Sequence, residues 1–147
     1  MAIAELAEVV VASGDEGITL IGGEPFDQAI QCADLAEQVR ASGLGVVTFT
    51  GHTREQLTTP DAIRLIAATD LLVDGPYLAA KRETARALVG SENQRFHHIT
   101  DRYADYDPET VPNRVEVRIE PTGVVGVAGF ASRTQLAHLI DMPGRQR

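Results

Sequence analysis

Residues 17–28 read GITLIGGEPFDQ, and this order predicts a strand, a glycine turn and the start of a helix. The ITLI segment is apolar or β-branched, as a buried strand requires. Gly22 and Gly23 lack a Cβ and let the backbone approach a ligand closely. Glu24 places a carboxylate at the mouth of the turn. Pro25 suits the first helical turn, because its missing N–H would have no partner there.

A turn with two glycines and a carboxylate at the end of a strand is typical of a site for a small cationic or zwitterionic ligand. The alternative is an ordinary tight turn in which Glu24 is solvated. The motif alone favours this alternative, because short glycine pairs are common.

The composition limits the class of protein. A chain of 147 residues is long enough for one domain with a core. Its formal net charge of −8 argues against nucleic acid or an anionic membrane as the main partner. The single cysteine rules out a disulfide framework within the chain and favours a reducing, cytoplasmic location. No apolar run approaches the roughly 20 residues of a membrane span.

Strands and helices alternate along the first half of the chain. Apolar patterns predict strands at 17–21, 44–50 and 71–74, and helices at 2–12, 27–41 and from Pro60 onward with Thr59 as the cap. This alternation implies parallel strands joined by right-handed crossovers. The predicted fold class is therefore α/β.

The pattern changes after residue 80. Residues 81–112 are polar and predict a long functional or excursion loop. Residues 113–130 alternate around a Pro-Thr-Gly turn and predict an antiparallel hairpin. A last short helix is predicted at 132–140.

Ligands of parallel α/β sheets bind beyond the carboxyl ends of the strands. Three predicted loops meet at that edge, and they carry Gly22-Gly23-Glu24, Thr50-Gly51-His52 and Asp74-Gly75-Pro76. Glu24 and Asp74 are suited to holding an ammonium and a ribose hydroxyl. A turn or helix cap is an equally good interpretation of Asp74.

Histidines in the polar loop offer a second candidate site. His97, His98 and Asp101 lie close in sequence, and His52 follows the second strand. Such a group can bind metal or act as acid and base. Solvated loop histidines are the favoured interpretation, so no metal site is predicted. Residues 102–107 are a protein-docking patch or a solvated surface, and the second interpretation is favoured.

Four stretches, in order, resemble radical S-adenosylmethionine enzymes: GITLIGGEP, DLAEQVRASGLGVVTFTGHT, ATDLLVDGPY and GSENQR at 90–95. The group most similar to them is the activating enzymes of anaerobic ribonucleotide reductase and related small single-cluster activases. The resemblance implies a partial (β/α) barrel with parallel strands, closed by the C-terminal hairpin, and a bound S-adenosylmethionine.

The resemblance also implies a set of ligand contacts. Gly22, Gly23 and Glu24 would contact the methionine amino group, and the Thr50-Gly51 loop and Asp74 would lie near the ribose or methionine. Pro25 and Gly75 complete the expected set. The resemblance includes Asn93, Gln94 and Arg95 of the GSENQR stretch but assigns them no role.

The sequence departs from this family in one respect. The family holds a 4Fe–4S cluster on CxxxCxxC in a loop after a first strand, and this chain has no such motif. Its one cysteine, Cys32, lies on the second predicted helix and reads as a small buried hydrophobe. Cluster ligation needs several thiolates. The expectation is therefore an activase-like chain that is truncated, split or diverted.

The alternative function is a non-catalytic module that binds S-adenosylmethionine or a nucleoside, or docks on another protein. Family resemblance implies a large glycyl-radical enzyme as partner. The absence of the first strand of the family would leave residues 17–21 at a sheet edge, and exposed edges invite pairing. A homodimer, or a chain that supplies the strand, is therefore expected.

Overall fold

A computed structural model describes residues 2–114, 116–119, 122 and 124–128. The α-helices of this part are α1 (Ile3–Ser13), α2 (Ala29–Ala41) and α3 (Pro60–Ala67). The strands are β1 (Gly17–Leu20), β2 (Gly45–Phe49), β3 (Leu71–Asp74), β4 (Arg95–His98), β5 (Glu116–Ile119) and β6 (Val125–Ala128). The helix predicted at 132–140 lies outside the described residues.

The strands β1 to β4 form one sheet in the order β1-β2-β3-β4. The pairs β1–β2 and β2–β3 are parallel, as the alternation of strands and helices predicts. The predicted α/β class is confirmed. Strands β5 and β6 pair antiparallel, which agrees with the predicted C-terminal hairpin. The described strands do not establish a barrel, and the partial (β/α) barrel stays a prediction.

The prediction of an uninterrupted polar loop at 81–112 is wrong, because β4 lies within it. This strand pairs antiparallel with β3, so that Arg95 lies opposite Asp74 and His97 opposite Leu72. Its polar side chains hide the periodic apolar signal of a strand. They are accommodated because Arg95 and His97 meet the carboxylate of Asp74.

Helix α2 packs on the sheet through small side chains. Ala33, Ala36 and Val39 are fully buried, whereas Ile30, which the pattern placed inward, is half exposed. Small residues let the helix axis approach β2 closely. Val46 and Leu65 complete the same core cluster, and burial of each large side chain contributes roughly 1.5–3 kcal/mol.

The start of α3 follows the predicted signals. Thr59 Oγ1 accepts a hydrogen bond of 3.2 Å from the Ala62 N–H, and Pro60 occupies the first helical position. The helix ends at Ala67, so that β3 begins only a few residues later. Strand β3 pairs parallel with β2, with Val73 opposite Phe49, and this register brings the carboxyl ends of the two strands side by side.

Strand β1 forms one edge of the four-stranded sheet within the part of the chain that the structure describes. Its partner on the inner side is β2, with Gly17 opposite Gly45. The pairing of the outer side with a second chain stays a prediction.

Candidate functional site

A cavity of about 550 Å³ lies where the loops after β1, β2 and β3 converge. This volume falls within the range of small-molecule sites. Described residues that line it are Ile21, Gly22, Glu24, Pro25, Phe49, Thr50, Gly51, Gly75, Tyr77, Leu88, Gly90 and Gln94. Three loops distant in sequence thus meet at one cavity, as the strand order predicts.

Glu24 joins the first two of these loops. Its Oε1 accepts hydrogen bonds from Thr50 Oγ1 at 2.7 Å and from the Phe26 N–H at 3.2 Å. Its Oε2 accepts one from the Gly51 N–H at 2.9 Å. Glu24 is therefore not simply solvated, because three donors set the orientation of its carboxylate, and the residue lines the cavity.

The glycines of the site are required by backbone conformation. Gly22, Gly23 and Gly75 have φ angles of 80°, 41° and 106°, in a backbone region that residues other than glycine rarely adopt. A Cβ on Gly22 would meet nothing within 4 Å, so space does not limit this position. Gly23 shapes the turn and is not among the residues that line the cavity.

Asp74 has its side chain fully buried, and its carboxylate faces other protein groups. Oδ2 accepts a 2.6 Å hydrogen bond from the Arg54 N–H, and Oδ1 accepts one of 3.0 Å from Arg95 Nε. His97 Nε2 lies 3.1 Å from Oδ1, close enough for an ion pair but without the alignment of a hydrogen bond. A ligand contact at Asp74 would require these bonds to break.

The pKa of Asp74 follows from this environment. Burial acts to raise the pKa, but hydrogen bonds from Arg95 and Arg54, with the adjacent His97, outweigh it and lower the pKa below its ordinary value. Asp74 is therefore ionised at neutral pH and saturated by its partners.

The GSENQR stretch builds another wall of the cavity. Gln94 Oε1 accepts hydrogen bonds from the Gly90 and Ser91 N–H groups at 2.8 and 3.1 Å. Gln94 Nε2 donates to the Gly75 carbonyl at 3.2 Å. Gln94 and Gly90 are lining residues that sequence reasoning missed, although the stretch itself was part of the family resemblance.

The cavity also has an exposed apolar rim. Ile21 is 66% exposed and Tyr77 58% exposed, and Leu88 is exposed beside them. Leu88 has a φ of 65°, which is uncommon for a leucine. Apolar side chains around a carboxylate suit a ligand with a cationic group and an apolar body.

The candidate histidines do not come together. His97 and His98 are neighbours on β4, so that their side chains point to opposite faces of the sheet. His97 contacts Asp74, and His52 Nε2 lies 4.0 Å from Asp27 Oδ1. Across the described residues, no group of three or more His, Cys, Asp or Glu side chains is arranged to hold a metal.

Cys32 is the sole cysteine of the sequence, and it lies on α2, where it is partly buried against the core. Burial, and then the charge of Glu24, raise the pKa of its thiol. A raised pKa disfavours the thiolate that a metal requires. Because a 4Fe–4S cluster needs several thiolates, the residues of this chain do not fit a cluster.

None of the helices in the described residues is long and apolar enough to cross a bilayer.

One comparison with known proteins indicates an iron–sulfur relationship. Searches of curated proteins and of solved structures found no match. The family model of the 4Fe-4S single cluster domain matches residues 2–97, which include α1 to α3, β1 to β3, all but the last residue of β4 and the described residues that line the cavity. Because this match spans more than half of the sequence, the chain belongs to the 4Fe-4S single cluster domain family.

Proposed function

We propose that this chain binds S-adenosylmethionine at the cavity and is a diverted relative of the radical S-adenosylmethionine activases. The observation that carries the proposal is the placement of Glu24, which is one of the residues that line the cavity and whose carboxylate is held by Thr50 and Gly51. A zwitterionic sulfonium nucleoside has an ammonium group for such a carboxylate and an apolar, aromatic portion for the rest of the cavity.

The polar and apolar parts of the cavity support this match. The exposed backbone at Gly22 and Gly51 offers polar groups beside Glu24. Phe49 and Tyr77 offer aromatic surface on the same cavity, and aromatic rings stack favourably on a purine. A carboxylate held in a mostly apolar cavity interacts strongly with a cation, because water screens the pair less than in bulk.

The test is binding of S-adenosylmethionine measured by calorimetry. Loss of a charge-assisted contact costs about 1.5–3 kcal/mol, so Glu24→Gln should weaken binding roughly 10- to 100-fold. Glu37→Gln is the matched control, since Glu37 lies on α2 and binds Arg64 away from the cavity. The proposal fails if the wild-type chain does not bind, or if both variants bind equally well.

A non-catalytic binding module is the second candidate, and the single cysteine favours it. Reductive cleavage of S-adenosylmethionine needs a one-electron donor, and this chain does not have the thiolates to hold the cluster of its family. Anaerobic reconstitution followed by iron analysis distinguishes the candidates. The module predicts no bound cluster, whereas four irons per chain would support a self-contained activase.

We also propose a protein partner at the outer side of β1, which is an edge of the sheet among the described strands. An edge strand has unpaired N–H and C=O groups that can pair with another chain. The partner is a glycyl-radical enzyme, as the resemblance implies, or a second copy of this chain. Light scattering at high concentration tests the second case, and a monomer there would leave the heterologous partner as the proposal.

A further inference from the structure

The GSENQR stretch has no role in the proposed function apart from forming a wall of the cavity, yet Arg95 at its end joins two loops. Arg95 Nε donates to Asp74 Oδ1 at 3.0 Å. Its Nη1 and Nη2 donate to the two oxygens of Glu55 at 3.1 and 2.8 Å. One guanidinium thus binds the last residue of β3 and a residue of the loop between β2 and α3.

The β2–α3 loop is held to β3 at several further points. The Thr50 N–H donates to the Val73 carbonyl at 2.9 Å, and the Gly75 N–H donates to the His52 carbonyl at 2.8 Å. The Arg54 N–H donates to Asp74 at 2.6 Å. The carboxylates of Asp74 and Glu55 are thus the points where a side chain from β4 holds the loop.

This loop is also the one that orients Glu24. Thr50 Oγ1 and the Gly51 N–H donate to the two oxygens of that carboxylate. The Thr50 Oγ1 also accepts a 3.1 Å hydrogen bond from the His52 N–H, which joins the loop backbone to the same donor. A shift of the loop would therefore move both donors away from Glu24.

We propose that Arg95 is a positioning residue, which holds the β2–α3 loop in the conformation where Thr50 and Gly51 orient Glu24 at the cavity. Arg95 acts through Glu55 and Asp74 and is not among the described residues that line the cavity. Its expected effect on ligand affinity rests on the proposed function. Its effect on the loop does not, and is measured separately.

The geometry requires arginine at this position. A guanidinium presents five donors in a planar fork and so binds two carboxylates at fixed angles, whereas lysine is a flexible point charge. Arg95→Lys therefore keeps the positive charge and removes the fork. A purely electrostatic role would be retained by this variant, and a positioning role would be lost.

Arg64 provides a matched control. Its Nε and Nη2 donate to Glu37 at 2.8 and 2.6 Å, and its Nη2 also lies 2.7 Å from Asp34. It therefore joins two carboxylates with the same fork, and its side chain is 41% exposed compared with 45% for Arg95. These contacts join α2 to α3, away from the cavity.

The experiment measures amide hydrogen exchange and S-adenosylmethionine affinity in Arg95→Lys and Arg64→Lys. In Arg95→Lys the Gly51 and Arg54 amides should exchange roughly tenfold faster, because their hydrogen bonds to Glu24 and Asp74 depend on the loop. Affinity should fall roughly five- to tenfold. Arg64→Lys should change neither quantity.

Three results would overturn the inference. The first is unchanged exchange at Gly51 in Arg95→Lys, and the second is a uniform rise in exchange over the whole sheet. The third is an affinity of Arg95→Lys equal to that of the wild type, where the wild type binds S-adenosylmethionine. If Arg95→Lys does not fold, Glu55→Gln tests the same contact from the exposed side, with the same local rise expected. If the wild type does not bind S-adenosylmethionine, the proposed function fails while the exchange result still decides the role of Arg95.

Discussion

Two buried aspartates, Asp70 directly before β3 and Asp74 at its carboxyl end, make similar contacts in different surroundings. At the amino end, Asp70 accepts hydrogen bonds from the Val46 N–H at 2.9 Å and from Thr100 Oγ1 at 2.6 Å. Arg40 Nε lies 3.4 Å from its Oδ1. At the carboxyl end, Asp74 accepts from Arg54 and Arg95, and the loop it holds continues to the cavity.

Asp70 and Asp74 have structural carboxylates, whereas Glu24 belongs to the candidate site. Asp70 and Asp74 are both fully paired, and burial alone would mark both as functional candidates. Glu24 differs from them because it lines a cavity while three donors set its orientation. Access to a cavity, together with fixed orientation, is what distinguishes a carboxylate that can meet a ligand.

The largest expected effect comes from removing either aspartate. Asp74→Ala and Asp70→Ala should each lower the free energy of unfolding by about 3 kcal/mol, because each leaves buried donors or a charge unpaired. Urea denaturation measures this loss. Only Asp74→Ala should also weaken S-adenosylmethionine binding. An equal loss of affinity in Asp70→Ala would contradict the view that only Asp74 supports the loop at the cavity.

Two glycines at opposite ends of the parallel strands, Gly75 after β3 and Gly43 before β2, offer the next test. Gly75→Ala should cost about 2 kcal/mol, because φ is 106° and the added Cβ would approach the Asn93 carbonyl to 3.4 Å. Gly43→Ala, before β2, should cost about 1 kcal/mol, since φ is 83° and nothing lies within 4 Å of the added Cβ. Thermal unfolding measures both. A larger cost at Gly43 would contradict the expected order.

Acid should loosen the carboxyl end through Glu55. The hydrogen bond from Arg95 is the main cause that lowers the pKa of Glu55 from 4.5 to about 2. A carboxyl whose pKa is lowered on folding stabilises the protein above its unfolded pKa, and this contribution is lost as the pH falls toward the folded value.

Below about pH 4.5, the Arg54 amide should therefore lose protection in the wild type more than in Glu55→Gln, which has no such carboxyl to titrate. Exchange corrected for its intrinsic pH dependence measures this difference. The use of a difference is needed because the pKa of Glu83 is also lowered to about 2, chiefly by a hydrogen bond from the Ala85 N–H. Identical pH profiles for the two chains would exclude the Arg95–Glu55 contact as the cause.

The smallest expected effect is at the exposed part of the amino end. Arg102 Nε lies 3.8 Å from Asp70 Oδ2, its side chain is 33% exposed, and it also donates to the Gly43 carbonyl. Long, partly exposed ion pairs contribute little, so Arg102→Ala should cost less than about 1 kcal/mol in urea denaturation. A cost near that of Asp70→Ala would show that Arg102 is essential to the amino-end network.

Much of the sheet could be predicted because β2 and β3 are short apolar runs bounded by turn residues. The predicted bounds 71–74 agree with β3, the predicted β1 is one residue too long at its carboxyl end, and the predicted β2 is one residue too long at each end. Strand β4 could not be predicted in this way. Its residues are polar, and it becomes a strand only because the edge of β3 and the carboxylate of Asp74 are available to it.

The features of the candidate site also divide into those that the sequence predicts and those that only contacts between distant segments create. The glycine turn at Gly22, the carboxylate of Glu24 and the convergence of three loops follow from local pattern and strand order. The inward orientation of Asp74 and the wall formed by Gln94 depend on contacts between distant segments. A pattern in the sequence does not indicate which hydrogen-bond donor will lie next to a given acceptor in the folded chain.

The order of elements from α1 to β3, the glycine turn that places Glu24 and a cysteine count too low for a cluster follow from the sequence alone. These features depend on neighbouring residues or on composition. The contact of Arg95 with both Glu55 and Asp74, and the burial of Asp74 outside the cavity lining, arise only in the tertiary structure. Those outcomes depend on the pairing of β4 with β3, which brings together charges that lie 40 residues apart in the chain.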